Sequence, residues 1–292
     1  MATAGPDRPV LVIENDLVAP VGRLEGWLRE AGAELVLCSP AAGDPLPDDL
    51  SGYSALVVLG GTMNAYQDEV AGWLPELRAL LAEAVRTELP TLGVCLGGQL
   101  LAAATGGRVS PAETPEYGAQ LVAKRQAAAT DPLFRELPIT PDVLQWHVDE
   151  VSELPPGAVL LAASPVCEVQ AFRVGRRAWG VQFHIETTPE IVTRWAHNDA
   201  ELLADYDLPA ILDRSIAALP DIAETWQPVV AAFVALAADP ALAADPAPAG
   251  AGPRLLPMVG ATATTAAPIT DPAAIRAALA AELQASREPF RH

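Results

Sequence analysis

Residues 91–105, TLGVCLGGQLLAAAT, begin as an apolar strand pattern and continue as a helical pattern with no loop between them. Cys95 stands at the junction, with Gly93 and Gly97 two residues away on either side. This G-x-nucleophile-x-G arrangement is typical of a nucleophile elbow, in which small flanking residues let the chain turn sharply and expose the nucleophile. The stretch predicts a strand over 91–95 and a helix from about 97 to 105, as in an α/β protein.

The same alternation is repeated towards the N-terminus. Short apolar runs at 9–13, 34–38 and 55–61 predict strands, and the helical spacing of apolar residues predicts helices over 21–31 and 73–88. Strands that are apolar throughout are buried on both faces, which is the pattern of a parallel sheet between two layers of helices. We therefore expect a mostly parallel central sheet with helices on both faces.

The pattern of apolar runs changes towards the C-terminus. Between 108 and 183, short β-type runs separated by Pro and Gly predict antiparallel or mixed strands at the sheet edge, followed by a helix from about 188. Residues 199–237 are expected to form a helical extension, with Leu202, Ile216 and Trp226 among its buried side chains. Ala and Pro dominate beyond it, so we expect one domain over 1–237, a linker or poorly ordered segment over 238–270, and a helical tail over 271–292.

Composition and charge exclude several classes of protein. The 292 residues are 51% apolar, enough to fill a core, and 18 basic against 37 acidic residues give a net charge of −19 that disfavours nucleic acids and anionic membranes. Three widely spaced cysteines suit neither a disulfide framework nor a zinc site. The chain shows no export-signal pattern and no apolar run of about 18 residues. We expect a cytoplasmic protein with no metal, no cofactor, and no nucleic-acid or membrane partner.

The turn at Cys95 favours a reactive thiolate. The helix that follows presents unpaired backbone N–H groups and the positive end of its dipole, which stabilise a thiolate and, later, an oxyanion. The alternative is an ordinary buried cysteine beside a glycine-rich turn. Cys38 and Cys167 are expected to be small buried hydrophobic residues, and Trp195 is expected to be a core residue.

A second group of candidate residues lies in GVQFHIE, residues 180–186. In extended chain the side chains at i and i+2 project to the same side, so the Glu186 carboxylate is expected beside the His184 ring as its orienting group. A structural His–carboxylate pair is the alternative. Gly60 and Gly61 end a predicted strand, where glycines let the backbone approach a ligand and donate an N–H to an oxyanion together with Leu96. The same dipeptide also occurs in ordinary tight turns.

Taken together, six segments resemble the class I glutamine amidotransferases, in particular the stand-alone group similar to the amidotransferase domain of GMP synthetase. They cover roughly residues 9–235 and follow the order found in that family. The segments are LVIEND at 11–16, VVLGGTMNAY at 57–66, GVCLGGQLLAAATGGRV at 93–109, EYG at 116–118, WHVDEVSELPPG at 146–157 and WGVQFHIETTPE at 179–190.

The resemblance implies a flavodoxin-like α/β fold that hydrolyses the side-chain amide of glutamine. It implies that Cys95 attacks the amide carbon, that His184 carries the proton, and that Glu186 orients the imidazole. The N–H groups of Gly61 and Leu96 would hold the oxyanion. One departure from the family pattern is Ile185, where many relatives have proline.

The resemblance also indicates which residues contact substrate. Gln99 falls where the family binds its substrate, and the backbone at Gly60 is expected to approach the same molecule. His147 lies in a region that lines the pocket of similar proteins, although a histidine beside an aromatic residue is also a common packing residue.

Three functions remain open at this point. The first is a glutaminase that releases ammonia, alone or for a separate synthetase chain, because neither a G-x-x-x-x-G-K-[ST] loop nor a Ser-Gly-Gly-x-Asp-Ser loop is present to serve an acceptor. The second is a hydrolase of γ-glutamyl amides or peptides, which the same triad would serve. The third is a regulatory module that keeps the fold without catalysis.

Overall fold

The computed structural model describes residues 5–239. The first four strands and the last three fall where the apolar runs predict them, whereas two long strands and a two-residue strand between them do not follow from those runs. The strands are β1 (Val10–Ile13), β2 (Leu35–Cys38), β3 (Ala55–Val58), β4 (Thr91–Val94), β5 (Arg108–Leu121), β6 (Ala123–Lys124), β7 (Asp142–Glu153), β8 (Val159–Ala163), β9 (Ala171–Val174) and β10 (Ala178–Val181).

Helices follow β1, β3 and β4 and then close the described chain. They are α1 (Arg23–Glu30), α2 (Leu74–Arg86), α3 (Leu96–Ala104), α4 (Pro189–Asn198) and α5 (Leu208–Ala238). Thr188 caps α4 with its side chain, which accepts the N–H of Ile191. This cap fixes the start of the helix directly after the predicted His-x-Glu pair.

The central sheet has the strand order β2-β1-β3-β4-β10-β9-β8-β6. Its first five strands pair in parallel, whereas β9, β8 and β6 are added in antiparallel pairs, as expected for the sheet edge. One expectation needs correction, because β5 and β7 do not join this sheet but form an antiparallel sheet of their own. The insertion of β10 beside β4 places the ends of two distant segments next to each other.

Helices cover the central sheet on both faces. In β1, Val10 and Val12 belong to one hydrophobic cluster with residues of α1, α4 and α5. Leu11 and Ile13 belong to a second cluster with residues of α2 and α3. Side chains alternate between the two faces of a strand, so a strand apolar at every position is buried on both.

The C-terminal helical extension is present but begins later than predicted. Residues 199–207 form turns, and Leu202 is 58% exposed because it lies there rather than on a packed helix face. Ile216, on α5, is 37% exposed, so both were wrongly predicted as buried. Among the described residues, no helix combines the length and apolar character needed to span a bilayer. The expected linker and tail lie outside the described residues, except for 238 and 239.

Candidate active site

Cys95 occupies the single-residue turn between β4 and α3, as the sequence predicts. Its φ of 51° is unusual for a residue other than glycine, and its side chain is 7% exposed. The backbone N–H of Cys95 donates a 2.8 Å hydrogen bond to Val181 O at the end of β10. A Cβ on Gly97 would stand 2.0 Å from Val58 O, so α3 begins tightly against β3 only because this position is glycine.

His184 and Glu186 lie side by side, in the predicted arrangement. Their Nδ1 and Oε1 atoms are 2.6 Å apart, and both residues are at most 3% exposed. The other carboxylate oxygen of Glu186 accepts the N–H of Ile185 at 2.9 Å. The carboxylate is therefore held on two sides, and the imidazole is fixed by it.

The pair does not belong to β10, which ends at Val181, three residues before His184. An isolated antiparallel bridge to Leu144 of β7 holds the segment instead. His184 N–H donates to Leu144 O at 2.7 Å, and Leu144 N–H donates back to His184 O at 3.2 Å. The predicted adjacency of His184 and Glu186 is therefore present, although the chain bends on both sides of the bridge and is not a continuous strand there.

Charges around His184 favour its protonated form. Burial acts to lower the pKa of His184, but the Glu186 carboxylate and the charge and hydrogen bond of Cys95 outweigh it and raise this pKa to about 10. The hydrogen-bonded contact with Cys95 places the sulfur beside the imidazole. The imidazole of His184 thus lies in contact with both the Cys95 sulfur and the Glu186 carboxylate.

Gly60 and Gly61 follow β3 and reach the same centre. A Cβ on Gly60 would stand 3.1 Å from His184 Cε1 and 3.6 Å from Cys95 Cβ. A Cβ on Gly61 would stand 2.9 Å from Leu96 Cδ2. Leu96 opens α3, and the first N–H groups of a helix have no partner within it. Gly61 lines the cavity in front of Cys95, whereas Gly60 and Leu96 are beside Cys95 but not among the residues that line that cavity.

Gln99 lies on the cavity wall, but its amide is already bonded within the protein. Its Nε2 donates to Asp149 O at 3.0 Å and to Gln182 Oε1 at 3.2 Å. Gln182 in turn donates to Cys95 Sγ at 3.8 Å. Sequence reasoning missed Gln182, although its place two residues before His184 in a quoted motif was an available signal.

His147 lines the cavity and is also packed in a buried polar network. Its Nδ1 is 3.0 Å from Asp149 O, and its Nε2 is 3.2 Å from Glu116 Oε2. Cys167 lies close by, and ligand-type atoms of Glu116, His147 and Cys167 are within 4.8 Å of one another. The ring of His147 is held between the Asp149 carbonyl and the Glu116 carboxylate.

A cavity of about 150 Å³ opens in front of Cys95 and His184. Trp146 lines this cavity, as does His147, in the region that the resemblance expects to line the pocket. The lining also includes two aromatic residues and a carboxylate that the sequence did not assign to the site, namely Tyr117, Trp195 and Asp199. Trp195 was expected in the core, and at 6% exposure it is buried. Its ring nevertheless packs on His184, with centroids 4.6 Å apart, because α4 begins directly after Glu186.

The comparison with known proteins agrees with this geometry. Residues 26–198 match the family model for glutamine amidotransferase class-I. A glutamine-hydrolyzing GMP synthase of Porphyromonas gingivalis is 34% identical over 150 residues, which are 51% of this chain and 28% of that protein. One subunit of a glutamine-hydrolyzing GMP synthase from Thermococcus kodakarensis is 40% identical over 109 residues, which are 37% of this chain and 56% of that protein.

The fold also matches a solved structure. A glutamine amidotransferase from Thermotoga maritima superimposes with a TM-score of 0.70 at 30% identity, covering 78% of this chain and 98% of that one. The predicted flavodoxin-like α/β class is thereby confirmed. The chain spans between about a quarter and about a half of the two GMP synthase relatives.

Proposed function

The chain belongs to the class I glutamine amidotransferase family, and on that premise we propose that it hydrolyses the side-chain amide of glutamine. Cys95 is the nucleophile, His184 the general base and acid, and Glu186 the group that orients the imidazole. The observation that carries the proposal is the buried His184–Glu186 pair, 2.6 Å apart, beside a cysteine at a strand-to-helix turn.

In the first half of the proposed reaction the Cys95 sulfur attacks the amide carbon of glutamine. The N–H groups of Gly61 and Leu96 donate to the oxyanion of the tetrahedral intermediate, in the manner of other oxyanion holes. The C–N bond then breaks as the His184 imidazolium gives its proton to the leaving nitrogen. Ammonia departs, and a γ-glutamyl thioester remains on Cys95.

In the second half, water attacks the thioester carbon while His184 accepts its proton. The C–S bond breaks, glutamate leaves, and the thiolate returns beside the imidazolium. Glu186 keeps the same ring orientation in both halves, because its second oxygen is fixed by the N–H of Ile185. Gln99, His147 and the backbone at Gly60 are proposed to border the bound glutamine.

The destination of the ammonia belongs to the same proposal. Relatives include a protein named as one subunit of a glutamine-hydrolyzing GMP synthase, and we propose that a separate synthetase chain accepts the ammonia in the cytoplasm. Free ammonia release should then be slow for the isolated chain and accelerate on mixing with the synthetase and its other substrates. Equal rates in both conditions would count against coupling.

Ammonia release from L-glutamine by wild type and Cys95→Ala tests the chemistry. We expect the variant to lose at least about 10³-fold in kcat, since removing a nucleophile abolishes the covalent route. A diazoketone analogue of glutamine should label Cys95 in the wild type. Cys38→Ala, at a buried cysteine in β2, is the matched control and should keep wild-type turnover. Full activity in Cys95→Ala would refute the assignment, and an unreactive Cys95 without turnover would favour the non-catalytic module.

A second candidate function, hydrolysis of γ-glutamyl amides larger than glutamine, is favoured by one observation. The aromatic rings of Trp195 and Trp146 continue the cavity away from His184, with centroids 5.9 Å apart. Ammonia is too small to contact such a surface. The same triad serves both candidates, so the leaving group distinguishes them.

A further inference from the structure

The aromatic part of the cavity is a connected surface that starts at His184. The Trp195 ring packs on His184, Trp146 packs on Trp195, and Tyr117 meets Trp146 edge-on with centroids 5.5 Å apart. We name Trp195, Trp146 and Tyr117 the aromatic wall. All three are at most 9% exposed, so packing holds them in place.

The aromatic wall lies on the side of the site where the nitrogen of the scissile bond is expected. This inference rests on the proposed function, in which His184 gives its proton to the leaving nitrogen. A general acid must lie within hydrogen-bond reach of that nitrogen. Any substituent on the nitrogen therefore starts beside the His184 ring, where Trp195 lies. Gln99, by contrast, donates a hydrogen bond to Gln182, and Gln182 donates to the Cys95 sulfur and not to the imidazole.

A carboxylate stands at the wall. Asp199, at the C-terminal end of α4, lines the cavity, and its Oδ2 accepts the indole N–H of Trp146 at 2.7 Å. An ionised carboxylate has about four acceptor sites, so this single bond leaves it able to bind a cation. Tyr117 stays neutral, since burial, followed by the nearby Tyr206 and Asp199, raises the pKa of its hydroxyl to about 12.

Aromatic faces next to a carboxylate suit one class of ligand. Methylene groups pack on the rings, and an ammonium group is attracted both to the π faces and to the carboxylate. We propose that the site also hydrolyses γ-glutamyl amides whose amine part is a short alkyl chain ending in an ammonium group. The triad breaks the C–N bond as in glutamine, so the products are glutamate and a diamine.

Two amides of the same size test this proposal. They differ only at the end of the alkyl chain, which is an ammonium group in γ-glutamyl-(4-aminobutyl)amide and a methyl group in γ-glutamyl-pentylamide. We expect the wild type to show kcat/KM at least about ten times higher for the cationic amide, and this ratio to decrease as salt screens the ammonium–carboxylate attraction. A ratio near one, or one independent of salt, would overturn the proposal.

Asp199→Asn is the informative variant, because its amide oxygen can still accept the Trp146 N–H and preserve the wall. The cationic-to-neutral ratio should fall at least about threefold, and the preference that remains is the attraction of the ammonium to the aromatic faces. Asp205→Asn makes the same change at an exposed position of the same connection and should keep the wild-type ratio. An unchanged ratio in Asp199→Asn would contradict the assignment of Asp199.

L-glutamine assayed in the same preparations separates the two proposals. Turnover of glutamine with neither amide hydrolysed would overturn this inference and leave the proposed function standing. Turnover of neither glutamine nor the amides would overturn both. The salt dependence of the wild-type ratio needs no variant, so the test remains decisive even if Asp199→Asn does not fold.

Discussion

Cys95 is the residue at which local stability and chemistry conflict. A non-glycine residue with φ of 51° costs about 1–3 kcal/mol of backbone strain, and such residues cluster at functional sites. The surrounding structure maintains this conformation, since Cys95 N–H is bonded to Val181 O and α3 starts at the next residue. This strained backbone conformation points the sulfur away from the turn and towards His184.

Glu186 should give the stability of the protein a specific pH dependence. The pKa of His184 is raised in the folded state to about 10, against about 6.5 for an unperturbed histidine. Between about pH 6.5 and pH 10, the folded chain therefore binds more protons at His184 than the unfolded chain does. The stabilisation is fully present below about pH 6.5 and is lost as the pH rises through about 10. In Glu186→Gln this decline should be smaller by about 1–3 kcal/mol.

Urea unfolding of both proteins at several pH values from 6 to 10.5 measures this difference. The Glu186→Gln side chain also offers one acceptor fewer to the Ile185 N–H, but that cost is the same at every pH, so the slopes are compared. Glu190→Gln, an exposed change on α4, should follow the wild type. Parallel curves for wild type and Glu186→Gln would refute the linkage.

The strand–turn–helix element β4–α3 tolerates side chains poorly. In Gly97→Ala, the Cβ would lie 2.0 Å from Val58 O and 2.6 Å from Val58 C, both backbone atoms that cannot rotate away. Accommodating it requires α3 to move from β3, so we expect a loss of at least about 3 kcal/mol in unfolding free energy, together with lost glutaminase activity.

Gly26→Ala is the control for this element prediction. Gly26 is exposed within α1, and a Cβ there would meet nothing within 4 Å. Replacing a helical glycine by alanine should stabilise the protein by about 0.5–1 kcal/mol. Both variants are compared by their urea midpoints. A Gly97→Ala protein as stable as the wild type would contradict the close packing of α3 on β3.

How far the sequence predicts each element depends on how local its signal is. The strands β1, β3 and β4 were predicted because interior parallel strands are apolar on both faces. The edge strand β2 is also apolar, but its Val36 and Leu37 are exposed, so the expected burial on both faces does not extend to it. The separate pairing of β5 with β7 was not predicted, because pairing partners are chosen by tertiary packing that alternation does not encode. The start of α5 was missed for a related reason, since apolar residues such as Leu202 continue through the turns that precede it.

For the candidate site, too, the features with a local sequence signal were predictable and those that depend on tertiary packing were not. The adjacency of His184 and Glu186 was predictable from two-residue spacing, and the place of Cys95 at a strand-to-helix turn from its flanking glycines. Asp199 and Trp195 join the site only through the docking of α4, which no local pattern encodes. The roles of the three triad residues remain predictions that the proposed assays test.

At the scale of the whole molecule, α5 packs on the β5–β7 sheet and on the segment that follows β10. Trp226, 1% exposed, packs against Phe134 and Phe183, and its indole N–H donates to Asp142 O of β7 at 2.9 Å. Trp226→Ala should lower the unfolding free energy by about 3–5 kcal/mol. Trp226→Phe keeps an aromatic ring but loses the rest of the indole together with its hydrogen bond, and should lose about 1–3 kcal/mol, less than Trp226→Ala.

Ile216→Ala, on the same helix but 37% exposed, should cost less than about 1 kcal/mol. The three variants are ranked by urea unfolding monitored by far-UV circular dichroism. Equal losses at Trp226 and Ile216 would show that α5 contributes general hydrophobicity and not a specific contact.

The placement of β10 next to β4 has a consequence for biosynthesis. The thiol of Cys95 leaves the ribosome about 90 residues before His184, an interval of roughly 4 to 18 s at the usual rate of about 5–20 residues per second. Throughout that interval the sulfur has neither its base nor the Val181 carbonyl that anchors its turn. An unfinished or truncated chain is therefore without the proposed hydrolytic activity, and the nucleophile acquires its base only when the last strand of the sheet is inserted.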